Sequence, residues 1–211
     1  MKTLTLLLFI LGAFASQAQF EVDSFVYHDE YDYPSRFPII RSSEHPKAAE
    51  HINIVLHQRM LEKVYQEEDA HRFENVFPPE GEFHGASEFD YDVSANNDRY
   101  FSVSITCAYT GAYTEYFTQY FNFDAKTGQP IQLSDMFGVS AMYDLSDWVT
   151  SSVYTQITGF MNNIDMEDPE GYGPEQYEMY AECAEWYEEP QELSEENYYL
   201  TDTSIVFVKG R

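Results

Sequence analysis

The chain has 211 residues and a formal net charge of −26, from 37 Asp and Glu against 11 Lys and Arg. Such a surface repels nucleic-acid phosphates and anionic lipid, so neither is an expected partner, and it attracts cations and basic proteins. The length suits one domain with a proper core, or a domain plus a lobe.

Lys2 precedes an apolar run from Leu4 to Phe14, then Ser16-Gln17-Ala18. A basic start, a short apolar stretch and a small-x-small site mark a secretory signal peptide over residues 1–18, cleaved after Ala18. The run is too short to span a bilayer. No Cys lies nearby for a lipid anchor, and no other apolar run is long enough to cross a membrane. The expected product is a single exported domain, residues 19–211, periplasmic or extracellular.

Residues 20–28 (FEVDSFVYH) alternate apolar and polar side chains and predict a strand. Residues 31–40 carry Pro34 and Pro38 and predict an extended lead-in. In 45–66, Ile52, Leu56, Met60 and Val64 recur every four residues beside Ala49, Val55 and Leu61. This predicts an amphipathic helix with Pro46 in its first turn. Residues 67–85, charged and holding Pro78-Pro79 and Gly81, predict a loop. Three runs follow, SEFDYDVSAN, RYFSVSITCAYT and AYTEYFTQYFNFD. Asn96-Asn97-Asp98 and Thr110-Gly111 separate them, so an antiparallel meander is expected. FDAKTGQPI reads as a turn in which Gly128 can take positive φ.

LSDMF leads into a helix over 140–163, with Leu145, Trp148, Val149, Ile157 and Phe160 as its expected buried stripe. An acidic loop, IDMEDPEGYGPEQ, comes next. In EMYAECAEWYEEP (178–190), Glu178, Glu182, Glu185 and Glu189 fall at i, i+4, i+7 and i+11 and share one helical face. Tyr180, Cys183, Ala184 and Tyr187 share another. Each like-charged pair costs about 0.2–0.5 kcal/mol, which packing of the aromatic side, water or a cationic partner must offset. Residues 197–208 predict a late strand or hairpin. The expected fold class is α+β, an antiparallel meander packed by two to three helices. No Lys, Arg or His stands between Lys126 and Lys209, while that interval holds 17 Asp and Glu, 13 of them within 165–196. The negative charge is thus concentrated in the C-terminal half.

Catalytic signatures are missing: there is no G-x-S-x-G, H-E-x-x-H or phosphate loop. Ser140, after Gly138-Val139, lacks the following glycine and reads as a helix cap. His45, His51 and His57 are six apart, which turns each about 120° from the last around one axis, so they cannot converge on a metal. A ligand set of His28, Asp29 and Glu30 has no supporting spacing. Asp165, Glu167, Asp168 and Glu170 lack calcium-loop spacing and read as a solvated loop. No metal, cofactor or catalytic residue is expected. A hydrolase with an unrecognised carboxylate pair is the weakest reading, because with so many acids any pair can be drawn. Tyr109, Tyr113, Tyr116 and Tyr120 either stack against sugars or are half-buried packing. Cys107 and Cys183 either bridge, closing a long loop for about 3–5 kcal/mol, or sit as two buried small hydrophobes.

The segment from FDYDVSANNDRYF to LSDMF resembles the core of the extracytoplasmic domain of the anti-sigma-V factor, which senses lysozyme. It is also similar to the related N-terminal domain of some exported peptidoglycan deacetylases. The features are Tyr109-Thr110-Gly111-Ala112, the NFDAKTG turn (122–128), and Leu133-Ser134-Asp135-Met136-Phe137 entering a helix. FPII and HINIVLH, with Ile52-Asn53, match upstream, and YYLTDTSIVFV matches downstream, so the likeness spans roughly 35–208. The resemblance implies an α+β binding or sensing domain of unknown function with no established catalytic residues. Its partner in the sensor branch is lysozyme, a basic enzyme. This sequence departs from the family in having no transmembrane helix or cytoplasmic segment and in lacking the usual C-terminal strand.

The expectation is therefore an exported, non-catalytic binding module. Its acidic C-terminal face would meet a basic protein, lysozyme or another cell-wall enzyme, through Glu178, Glu182, Glu185, Trp186 and Glu189. The alternative is an envelope module that binds peptidoglycan through Tyr109, Tyr113 and Tyr116.

Overall fold

The computed structural model describes residues 19–28, 34–66, 73, 76–77, 85–110, 112–167, 172–189, 191–194 and 196–208. The expected signal peptide, most of the 67–85 loop, and Asp29, Glu30, Asp168 and Glu170 lie outside the described residues. Within them the protein is α+β, with antiparallel sheets and four helices.

β1 (Glu21–His28) pairs antiparallel with β2 (Pro34–Arg41), Phe25 opposite Phe37. From Pro34 onward the proline-bearing lead-in is therefore strand. A two-stranded ribbon tolerates Pro34 and Pro38 because each strand has one edge that needs no ladder partner. α1 (Pro46–Leu56) follows and widens into a π-helical turn at His57–Leu61. Glu62, with φ of 54°, ends it in the left-handed region, so the helix stops short of residue 66 and Val64 is exposed.

The meander is β3 (Gly85–Asn96), β4 (Tyr100–Thr110) and β5 (Thr114–Asp124), in that spatial order. Phe101, Val103, Ile105 and Cys107 alternate along β4 onto one face. With Phe89, Phe121 and Phe123 of the neighbouring strands, and Ala48, Ala49, Ile52 and Leu56 of α1, they form the main core. The opposite face of β4 is hydroxylic. Ser94 Oγ donates to Ser102 Oγ at 2.9 Å, and Thr106 and Thr118 hydroxyls meet at 2.8 Å.

After β5 the chain turns at Gly128, whose N–H donates to the Asp124 carbonyl at 2.8 Å. Its φ of 69° is the positive value expected, and a Cβ there would overlap the Ala48 carbonyl of α1. α2 (Leu133–Met136) and α3 (Val139–Met161) follow. Gly138 is the N-cap of α3, so Ser140 is an exposed residue inside the helix, not its cap. α4 (Tyr172–Glu185) comes next, and the late hairpin is β6 (Tyr198–Leu200) with β7 (Ile205–Phe207). Tyr198, Leu200 and Leu133 make a second, smaller core.

Three asparagines fasten these parts together, each side chain standing in for a strand neighbour. Asn53 of α1 accepts from Ile40 N–H at 2.9 Å and donates to Ile40 O at 2.8 Å. Asn96 of β3 does the same to Phe20, at 2.9 and 2.8 Å. Asn122 of β5 accepts from Leu200 N–H at 3.0 Å and donates to Tyr198 O at 2.9 Å, joining the late hairpin to the meander. Each satisfies a donor and an acceptor that no regular ladder reaches. No described helix is long and apolar enough to cross a membrane.

Candidate functional site

The acidic stretch lies on a helical hairpin made by α3 and α4, which pack on each other. Phe160 of α3 stacks on Tyr180 of α4 with ring centroids 6.0 Å apart. Gly173 is buried in the first turn of α4, where a Cβ would collide with the Asp165 carbonyl. The chain leaving the hairpin is tied back to α3. Gln191 N–H donates to Thr150 Oγ1 at 3.0 Å, and Ser146 Oγ donates to Gln191 O.

Those ties decide which side of α3 is buried. Ser146, Val149 and Thr150 are buried, with Leu145, Val153 and Ile157 half-buried beside them. Trp148 and Phe160, expected in the buried stripe, are 64% and 60% exposed. Leu145, Val149 and Ile157 lie on the expected side, but Ser146 and Thr150, bonded to Gln191, shift the buried face away from Trp148 and Phe160. Ser152, Thr155 and Thr158 donate to the carbonyls of Trp148, Ser151 and Tyr154, each at 2.8–2.9 Å.

On α4, Glu178, Glu182 and Glu185 are exposed at i, i+4 and i+7 and share a face. Glu189 lies beyond the helix end, so it belongs to the following turn rather than to the stripe. On the other side Ala184 is buried and Tyr180 and Tyr187 half-buried, as expected, but Cys183 is exposed. Burial pushes the Tyr187 hydroxyl's pKa up, with Cys183 adding to it.

None of Glu178, Glu182, Glu185 and Glu189 has an ion-pair partner among the described residues. The ion pairs there are Arg36–Asp90, Arg41–Asp23 and Arg59–Glu196. No basic residue occupies the last turn of α4, where the helix dipole already disfavours negative charge. Trp186, 77% exposed, with Tyr172, Tyr177 and Met179, adds large apolar surface to the same hairpin.

Other candidates are placed differently. Cys107 and Cys183 are both free, so the bridge does not form, and only Cys107 is a buried hydrophobe. Burial raises the Cys107 thiol pKa to about 11. Tyr109, Tyr113 and Tyr116 gather at the β4–β5 tip and are exposed. They do not share a face. Tyr109 opposes Glu115 while Tyr116 opposes Ala108, and neighbouring register positions point to opposite sides of a sheet. Tyr120 lies on the Tyr116 side and stacks on Tyr199 with centroids 5.6 Å apart. His57 is buried with Nδ1 2.8 Å from Asn53 O, and His51 Nδ1 is 3.0 Å from Gln129 Nε2. Among the described residues no three His, Cys, Asp or Glu side chains are grouped to hold a metal. Asp165 accepts from Glu167 N–H at 3.0 Å, a local turn bond.

Sequence reasoning did not find the cleft of about 1010 Å³ where the start of β1 meets the N-terminus of α1. Gln19, Arg41, Ser42, Glu44 and Lys47 line it. Its residues come from three separate stretches, and no spacing in the sequence announces them.

A sheet meander packed by one helix, with a late hairpin clamped to it and an acidic helical pair outside, defines an α+β domain. A member of the DUF3298 family from Bacteroides fragilis NCTC 9343 is similar, with TM-score 0.50 and 14% identity over 67% of this chain and 70% of that one. A DUF3298 family protein from Pseudomonas aeruginosa PAO1 aligns with TM-score 0.45 and 12% identity over 71% and 69%. The first likeness concerns the fold. No protein-family model matches the sequence, and no curated protein does.

Proposed function

We propose that the chain is an exported, non-catalytic binding module that docks a basic protein on its α3–α4 hairpin. The observation that carries this reading is the row Glu178, Glu182 and Glu185. These carboxylates are exposed, have no ion-pair partner among the described residues, and run toward the helix end where the dipole opposes them. Carboxylates so placed cost the free domain stability that a cationic partner would return. Trp186 and Met179 offer apolar anchors beside the charges, and Trp is the residue type most concentrated at binding hot spots. The resemblance to the anti-sigma-V domain makes lysozyme the first partner to test.

Calorimetric titration of residues 19–211 with lysozyme is the experiment. Binding is expected at low ionic strength, weakening as salt screens the charges. The double variant Glu182→Lys/Glu185→Lys is expected to weaken it by roughly tenfold or more. Absence of heat at low salt rejects lysozyme as the partner.

A second reading is favoured by the exposed tip, where Tyr113 is 84% and Tyr116 68% exposed. There the module would hold peptidoglycan glycan by stacking. Co-sedimentation with purified peptidoglycan should then fall in a Tyr113→Ala/Tyr116→Ala variant. Equal retention removes those tyrosines from consideration.

A further inference from the structure

The N-terminal end of β1 is fixed at its first described residues. Phe20 is buried, its ring meets Phe101 edge-on at 5.3 Å, and Asn96 holds both its N–H and its carbonyl. Ser42 Oγ donates to the Gln19 carbonyl at 3.3 Å. Gln19 lines the 1010 Å³ cleft, yet its Nε2 is buried and has no hydrogen-bond partner among the described residues. A buried amide nitrogen without an acceptor is a defect that native structures rarely keep.

We propose that Gln19, as the first residue of the exported chain, closes to pyroglutamate. The inference rests on the export reading, with cleavage after Ala18, which makes Gln19 the N-terminal residue. The reaction needs no reagent beyond the residue itself. The neutral α-amine attacks its own side-chain Cδ, a bond forms between N and Cδ, and the Cδ–Nε2 bond breaks. The nitrogen that leaves as ammonia, taking a proton from the attacking amine, is the buried Nε2. The five-membered lactam that remains keeps one N–H and one carbonyl oxygen. Closure therefore removes the unpartnered donor and discharges the terminal ammonium, leaving the Phe20 clamp untouched. An α-amine titrates at about 8, so an appreciable part is nucleophilic at neutral pH. In the cyclised product, aminopeptidases meet a blocked terminus.

The test is mass spectrometry and Edman sequencing of the full-length chain recovered after export. The expected N-terminal peptide starts at residue 19 and is lighter by one ammonia than its unmodified form. No residue should appear in the first Edman cycle until pyroglutamyl peptidase has acted on the unfolded chain, after which the sequence starts at Phe20. A Gln19→Asn variant cannot close, because its ring would have four members, and should give asparagine in the first cycle. A free glutamine at residue 19 overturns the proposal and leaves export standing. A terminus at any other residue overturns the cleavage site and the proposal together.

Discussion

Asn122 shows how much of this fold rests on single side chains. Replacing it with alanine takes an acceptor from Leu200 N–H and a donor from Tyr198 O in a buried seam. The expected cost is about 2 kcal/mol, read as a lower urea midpoint with an unchanged slope. The two cysteines should differ in reactivity. A thiol reagent at neutral pH should modify exposed Cys183 quickly and buried Cys107 only on unfolding, since burial disfavours the Cys107 thiolate. Asp124 gives a pH handle. Burial raises its pKa, but the side-chain and backbone bonds from Thr127 and Lys126, with the Lys126 charge, outweigh that and leave it lowered. A lowered folded pKa means stability that is present above the unfolded carboxylate value and lost as pH falls through the folded one. An Asp124→Asn variant should therefore show a shallower loss of stability on acidification below about pH 4 than the parent. The roles of Asn122 and Asp124 were not legible in the sequence, where they read only as parts of a motif and a turn. A clamp depends on which distant backbone arrives beside it, and periodicity carries no such information.

At the scale of elements, the meander was legible because Phe101, Val103, Ile105 and Cys107 alternate so cleanly and glycine and asparagine mark the turns. The Gly128 turn was legible for the same reason. Gly128→Ala should destabilise by about 1–3 kcal/mol or more, from both its left-handed backbone and the Ala48 carbonyl, as a thermal melt would report. Pro34 and Pro38 hid β2, since the ribbon's free edges excuse them. The π-helical turn hid the end of α1, because it breaks the four-residue repeat. The buried face of α3 was hidden by Ser146 and Thr150, polar residues that bond Gln191. The Glu182 and Glu185 positions were foreseen on α4, and Glu189 was placed one turn too far into it. Neutralising Glu182 with glutamine should stabilise the free domain by about 0.2–0.5 kcal/mol.

Across the whole molecule, charge is segregated: the described ion pairs draw on Arg36, Arg41 and Arg59, before the meander, and none of them involves the α3–α4 hairpin. Salt should thus act in opposite directions, raising the melting temperature of the free protein by screening self-repulsion and weakening any basic partner's hold. Parallel thermal and binding series in sodium chloride would display the two trends. The three asparagine clamps carry a separate consequence for molecular age. Slow hydrolysis of an asparagine amide gives aspartate, and at residue 53, 96 or 122 the new carboxylate would face the carbonyl of Ile40, Phe20 or Tyr198 with no proton to share. An old copy of this protein would come apart along the joins between its pieces while each piece kept its own interior.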